Sequence, residues 1–133
     1  MFKNALVSTS DKTGLVEFLK PLQDNGMRIV STGGTAEHLR KAGLQIIEVA
    51  EQTGFPECLD GRVRTLHPKV HVPLLARPDV ADDQKILKDL KLDPFDLVVV
   101  NLYPFASAKE KNLPFVELIE NIDIGGPTLL RAA

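Results

Sequence analysis

The apolar positions of the chain fall into short runs divided by polar turns. Residues 5–8, ALVS, make a brief apolar run that ends in a small polar residue. LVEFLKPL follows, with apolar positions 15, 18, 19 and 22 on one face at helical spacing. This predicts a strand, a loop and a helix. Pro21, late in that helix, is expected to kink or shorten it, and Asn25-Gly26 to end it.

The same grammar returns in MRIVSTGGT at 27–35, an apolar strand running into Thr-Gly-Gly-Thr and then into AEHLRKAG, a short helix closed by Gly43. LQIIEV at 44–49 predicts a third strand and VPLLA at 72–76 a fourth, while ADDQKILKDLKL at 81–92 has helical periodicity. In DLVVVNLYPF at 96–105 four apolar residues follow one another without alternation. That predicts a strand buried on both faces in the middle of a parallel sheet, ended by Asn101. FVELIENI at 115–122 predicts a helix, and after IDIGGP the segment TLLRAA predicts a last one, with Pro127 in its first turn.

Strands alternating with helices predict an α/β fold in three layers, a mainly parallel sheet with helices on both faces. Such sheets bind ligands beyond the carboxyl ends of their strands. Polar signals sit at those ends: Ser8 to Lys12, Thr32 to Thr35 and Asn101 to Pro104.

At 133 residues, 44% hydrophobic and 26% charged, the chain suits one domain over residues 1–133. A net charge of −2 offers no global positive field for a nucleic acid, so a basic cluster is a local feature that fits a small anion. The single cysteine, Cys58, excludes an internal disulfide and points to a reducing compartment. No apolar run approaches the ~18 residues of a membrane span, so a soluble, cytoplasmic protein with no membrane partner is expected.

Three clusters carry candidate chemistry. Thr32-Gly33-Gly34-Thr35 sets two glycines between a strand and a helix, where backbone N–H groups and the helix N-terminus favour an anion. The plain alternative is a tight turn with Thr35 as helix cap. The pattern is neither a Walker loop nor a full G-x-G-x-x-G, so neither a nucleoside triphosphate nor a dinucleotide is indicated. Lys12 can reach the same anion, or simply be an exposed lysine near a helix start.

In DGRVRTLHPKVH, residues 60–71, Arg62, Arg64 and Thr65 are candidate anion ligands, because guanidinium groups bind phosphate or carboxylate bidentately. A solvated basic face is the alternative. His67 and His71 have a spacing that can bind metal, but Pro68 biases His67 away from helical backbone and no familiar spacing supplies further ligands, so no metal is expected. Asp123-Ile124-Gly125-Gly126 stands before the last helix, where Asp123 can cap that helix or face the crevice. Tyr103, the only tyrosine, can be a packed aromatic or a site group.

Together LVSTSDKTGLVEF, STGGTAEHLRKAG, TGFPECLDGRVRTLHPKVH, DLVVVNLYPF and ENIDIGGPTLLRAA closely resemble, in that order, the IMP cyclohydrolase domain of bifunctional AICAR transformylase/IMP cyclohydrolase. The resemblance runs from about residue 5 to the end. It implies a methylglyoxal-synthase-like fold and the closure of 5-formamidoimidazole-4-carboxamide ribotide to IMP with loss of water in purine biosynthesis, without metal or redox cofactor. It also implies a homodimer.

Carried over by motif, the 5′-phosphate would lie among Lys12, Thr32, Gly33, Gly34, Thr35, Arg64 and Thr65, with Ser10, Asp11 and Arg62 near it. Asn101, Tyr103, Asp123, Ile124 and Gly125 would surround the base. Asp123 and Tyr103 are the catalytic candidates: an amide nitrogen must lose a proton, and charge grows on the formyl oxygen. Arg64 joins them, since the family usually has GRVKTLHP there, with a lysine assigned to phosphate binding or catalysis.

The sequence departs from the family in two further places. His71-Val72-Pro73-Leu74-Leu75 replaces H-G-G-I-L or H-A-G-I-L, and the usual A-K-N-H after LLRAA, with its proton-transfer lysine, is missing. A truncated domain that binds purine nucleotides better than it turns them over is therefore expected. The alternative is a non-catalytic nucleotide- or anion-binding regulatory module of the same fold.

Overall fold

The structure, a computed structural model, describes Met1–Ala133. Four strands form a wholly parallel sheet: β1 (Asn4–Ser8), β2 (Arg28–Ser31), β3 (Ile47–Glu48) and β4 (Leu97–Val100), in the order β3-β2-β1-β4. Eight helices surround it: α1 (Leu15–Asp24), α2 (Gly33–Lys41), α3 (Val49–Thr53), α4 (Pro68–Leu75), α5 (Ala81–Asp89), α6 (Phe105–Glu110), α7 (Phe115–Glu120) and α8 (Gly125–Ala132). None is long and apolar enough to cross a membrane.

Alternation along the strands divides the core between two faces. Ala5, Val7 and Ile29 pack with Leu15 and Leu19 of α1 and Leu39 of α2. Leu6 and Val30 point the other way and pack with Val49 of α3, Val70 of α4 and Leu129 of α8. Leu129 is fully buried. Its side chain therefore contributes on the order of 1.5–3 kcal/mol to holding the last helix against the sheet.

The α/β class with helices on both faces agrees with the expectation from the sequence, and the differences have local causes. VPLLA is not a strand but the end of α4. His67 caps that helix, Nδ1 accepting from the Lys69 N–H at 3.1 Å, and Pro68 takes its first turn. Pro73 inside α4 offers no N–H to the Lys69 carbonyl; Gln52 Nε2 donates to it instead at 3.2 Å.

The third strand shrinks to Ile47–Glu48 because the Gln23 side chain takes the backbone of Gln45: Nε2 donates to its carbonyl at 2.7 Å and Oε1 accepts from its N–H at 2.9 Å. Helix α1 runs past Pro21 to Asp24 and stops at Asn25, whose Nδ2 donates to the Pro21 carbonyl at 2.7 Å.

β4 is not central. It pairs only with β1 and its four residues are half-buried. The chain winds from β1 outward through β2 and β3, then returns to place β4 on the other side of β1. The topological switch point, where connections leave in opposite directions and a crevice opens, therefore lies between β1 and β4.

Candidate functional site

A cavity of about 520 Å³ opens at that switch point, beyond the carboxyl ends of the strands. Ser10, Lys12, Thr32, Gly34, Thr35, Arg62, Arg64, Thr65, Asn101, Tyr103, Asp123, Ile124 and Gly125 line it. Asp11 and Gly33, also expected at the site, are outside its wall.

The loop after β1 is held by two struts. Thr35 Oγ1 donates to the Thr9 carbonyl at 2.8 Å and accepts from the Thr9 N–H at 3.1 Å, both buried. The hydroxyl of Thr35 is thus spent on tying the β1 and β2 loops together. Asn101 does the same from β4: Oδ1 accepts from the N–H groups of Ser10 at 2.6 Å and Asp11 at 3.1 Å, and Nδ2 donates to the Asp11 carbonyl at 2.8 Å. Asp11 turns away, its carboxylate accepting from the Thr13 N–H at 2.9 Å and hydroxyl at 2.7 Å. Those two donors hold the Asp11 carboxyl below its ordinary pKa.

One end of the cavity is built for an anion. Helix α2 begins at Gly33 with Thr32 in extended backbone and no side-chain cap, so the N–H groups of its first turn are free to meet an acceptor. Thr32, not Thr35, stands at the cap position. Lys12 Nζ, which donates to the Ser10 carbonyl at 3.0 Å, lies on the same wall.

Arg64 lies over this helix start. A Cβ on Gly33 would stand 2.7 Å from its Nη1, and Gly33 has φ +54°, so both space and backbone favour glycine. Its Nε is 2.8 Å from Glu57 Oε2, but the N–H is not aimed at the carboxylate, which makes the contact an ion pair rather than a hydrogen bond. Arg62 has a different place. It pairs with Glu120 of α7 and stands 3.8 Å from Asp60, bridging two walls of the cavity, and Glu120 raises its pKa further.

The opposite end is built around Asp123. Its Oδ1 accepts from the Gly126 N–H at 2.8 Å at the start of α8, and Oδ2 accepts from the Tyr103 N–H over a long 3.4 Å. Asp123 stands one residue before the cap position, Ile124, yet takes an N–H of the first turn of α8 while lining the crevice. The glycines of IDIGG allow the approach: a Cβ on Gly125 would meet Thr65 Oγ1 at 2.8 Å, and one on Gly126 would meet Leu102 Cδ2 at 2.5 Å and Asp123 Oδ2 at 2.7 Å. Tyr103 is 44% exposed and lines the cavity.

His67 and His71 shape α4 rather than the cavity. His67 has extended backbone, as Pro68 requires, and tilts against Phe55 with centroids 6.0 Å apart; His71 Nδ1 approaches the His67 carbonyl at 3.4 Å. The wall also holds Asp60, Gly61, Ile119, Glu120, Ile122 and Gly126, which were not expected site residues, and Ser8 and Thr9, which were marked only as part of the polar signal after the first strand. Asp60 and Gly61 stood inside the basic stretch and Gly126 inside IDIGG, whereas Ile119 and Glu120 carried no signal beyond helical periodicity.

Residues 14–128 match the family described as MGS-like domain. The chain is 56% identical over its whole length to the bifunctional purine biosynthesis protein PurH of Ruminiclostridium cellulolyticum, and 53% identical to the protein of the same name from Acetivibrio thermocellus. It spans 26% of each of those relatives. A solved structure titled "Crystal structure of ForH" superimposes with a TM-score of 0.83 at 31% identity, covering 98% of this chain and 66% of that one. These likenesses agree with the resemblance carried by the motifs, and the chain belongs to the MGS-like domain family.

Proposed function

We propose that this chain is the ring-closing domain of a purine-synthesising enzyme, an IMP cyclohydrolase acting on 5-formamidoimidazole-4-carboxamide ribotide. One observation carries the reading. A single cavity joins an anion end, made of the uncapped α2 N-terminus with Lys12 and Arg64, to a carboxylate end made of Asp123 beside Tyr103. A ribotide needs both, one for its 5′-phosphate and one for its reacting groups. The relatives' name places them in purine biosynthesis, which supports the same substrate class.

In this reading the carboxamide nitrogen attacks the formyl carbon. Water leaves with the formyl oxygen, one hydrogen from the carboxamide nitrogen and one from the formamide nitrogen. Asp123, already oriented by the Gly126 N–H, accepts a hydrogen bond or proton from the carboxamide. The Tyr103 hydroxyl and nearby backbone N–H groups meet the charge that grows on the formyl oxygen. Arg64 acts at the phosphate end because its terminal nitrogen lies beside Gly33. Thr65 is buried next to Gly125 and lies between the two ends.

Calorimetry with IMP or XMP tests the reading. Saturable binding is expected, and no heat or thermal shift at millimolar nucleotide sinks it. Adding the lysine-containing A-K-N-H extension is expected to raise ring closure, followed by the change in ultraviolet absorbance. Nucleotide binding with no ring closure in the extended chain would assign the fold to regulation instead.

A further inference from the structure

Glu57 is outside the wall of the site cavity, yet it pairs with the cation at the anion end. Cys58 and Val63 form an antiparallel bridge, exchanging N–H···O bonds at 3.2 and 3.3 Å. Glu57 and Arg64 are the next opposed positions of that hairpin, where opposite charges meet directly across the two strands. Between them Leu59, Asp60 and Gly61 all adopt left-handed backbone, with φ of 54°, 53° and 84°. For leucine and aspartate that conformation is unfavourable and persists where the surroundings fix it.

Arg64 donates no hydrogen bond within the chain, and its Nε is buried without a hydrogen-bond acceptor. Glu57 is the one carboxylate paired with it. With that carboxylate at the Nε edge, the terminal nitrogens point over Gly33 and Gly61.

From this geometry we propose that Glu57 is a positioning residue: it fixes the Arg64 guanidinium so that its terminal nitrogens meet a phosphate at the N-terminus of α2. A free arginine samples many rotamers and must give them up on binding. The Glu57 contact settles that orientation before the ligand arrives. The inference rests on the ribotide reading of the cavity and adds a residue outside its wall.

The effect has a sign that separates orientation from simple charge. Removing a negative charge near an anion site should by itself tighten anion binding. If Glu57 orients Arg64, Glu57→Gln weakens binding instead, by about five-fold for a partly exposed pair. Calorimetry with IMP, and with inorganic phosphate as competitor, is run on the full chain, on Glu57→Gln, on Arg64→Lys and on the double variant. Lysine has no Nε edge to hold, so in the Arg64→Lys chain the Glu57→Gln change should shift affinity by less than about two-fold.

Equal or tighter binding by Glu57→Gln overturns the proposal. So does an equal loss in both backgrounds, or an early-melting Glu57→Gln chain, because either would make Glu57 a general structural group. Failure of the unsubstituted chain to bind IMP overturns the ribotide reading and this inference with it.

Discussion

Thr35→Val is the sharpest test of how the site is held. The hydroxyl of Thr35 closes two buried hydrogen bonds on the backbone of Thr9, donating at 2.8 Å and accepting at 3.1 Å. Thr35 is 4% and Thr9 8% exposed, so water does not replace either bond. Valine keeps the shape and removes both partners, leaving a buried N–H and a buried C=O unpaired. Each such group costs roughly 1–3 kcal/mol, and we expect a loss of about 3 kcal/mol in total. For a chain of this length that corresponds to a fall of about 10 °C in Tm, from an unfolding entropy near 2.1 cal/mol/K per residue.

Urea unfolding by circular dichroism gives the free energy, and an unchanged m-value would show that the unfolded state is not the cause. Thr35→Ser keeps the hydroxyl and is expected to lose only about 1 kcal/mol for its methyl group. The Thr9–Ser10 loop should also loosen, so IMP affinity falls in Thr35→Val even well below its melting temperature. A stability loss under about 1 kcal/mol for Thr35→Val, or equal losses for valine and serine, would refute the strut.

Further expectations concern the other supports. Asn101→Ala removes three bonds to the Ser10 and Asp11 backbone at the exposed cavity rim. It should cost about 1–2 kcal/mol in urea unfolding and weaken IMP binding by calorimetry. Gly126→Ala places a methyl group 2.5 Å from Leu102 Cδ2 and 2.7 Å from Asp123 Oδ2, so Asp123 must move. Tm should drop by several degrees, with ring closure in the extended chain falling more than IMP affinity. Asp83 is held at a pKa of about 2, chiefly by the Arg77 side chain and also by its backbone N–H. Its folded value lies below the unfolded one, so its contribution is present above pH ~4 and is lost as pH falls towards 2. Asp83→Asn should therefore flatten stability over that window in acid titration of the melting temperature.

The local elements were legible because each is written in a few consecutive residues. The apolar runs beginning at 5, 27 and 97 pointed to three strands, the periodicity of LVEFLKPL at 15–22 and of 81–92 to two helices, the second of which ends earlier, at Asp89, and Thr-Gly-Gly-Thr marked the start of α2. The expected site residues, apart from Asp11 and Gly33, do line one cavity, since strand ends in a parallel sheet all open on the same side.

What the sequence could not decide were pairings between distant residues. VPLLA is as apolar as a strand, but it continues a helix started by the His67 cap and Pro68 and held by the Gln52 bond to Lys69 and the burial of Val70 and Pro73. The run LVVV reads as a central strand, yet its position depends on which edge of β1 the chain returns to. The basic stretch reads as a block of equivalent cations. The folded chain divides it, giving Arg62 to Glu120 from α7 and Arg64 to Glu57 across a hairpin, because an ion pair is set by distance in space and not by spacing along the chain.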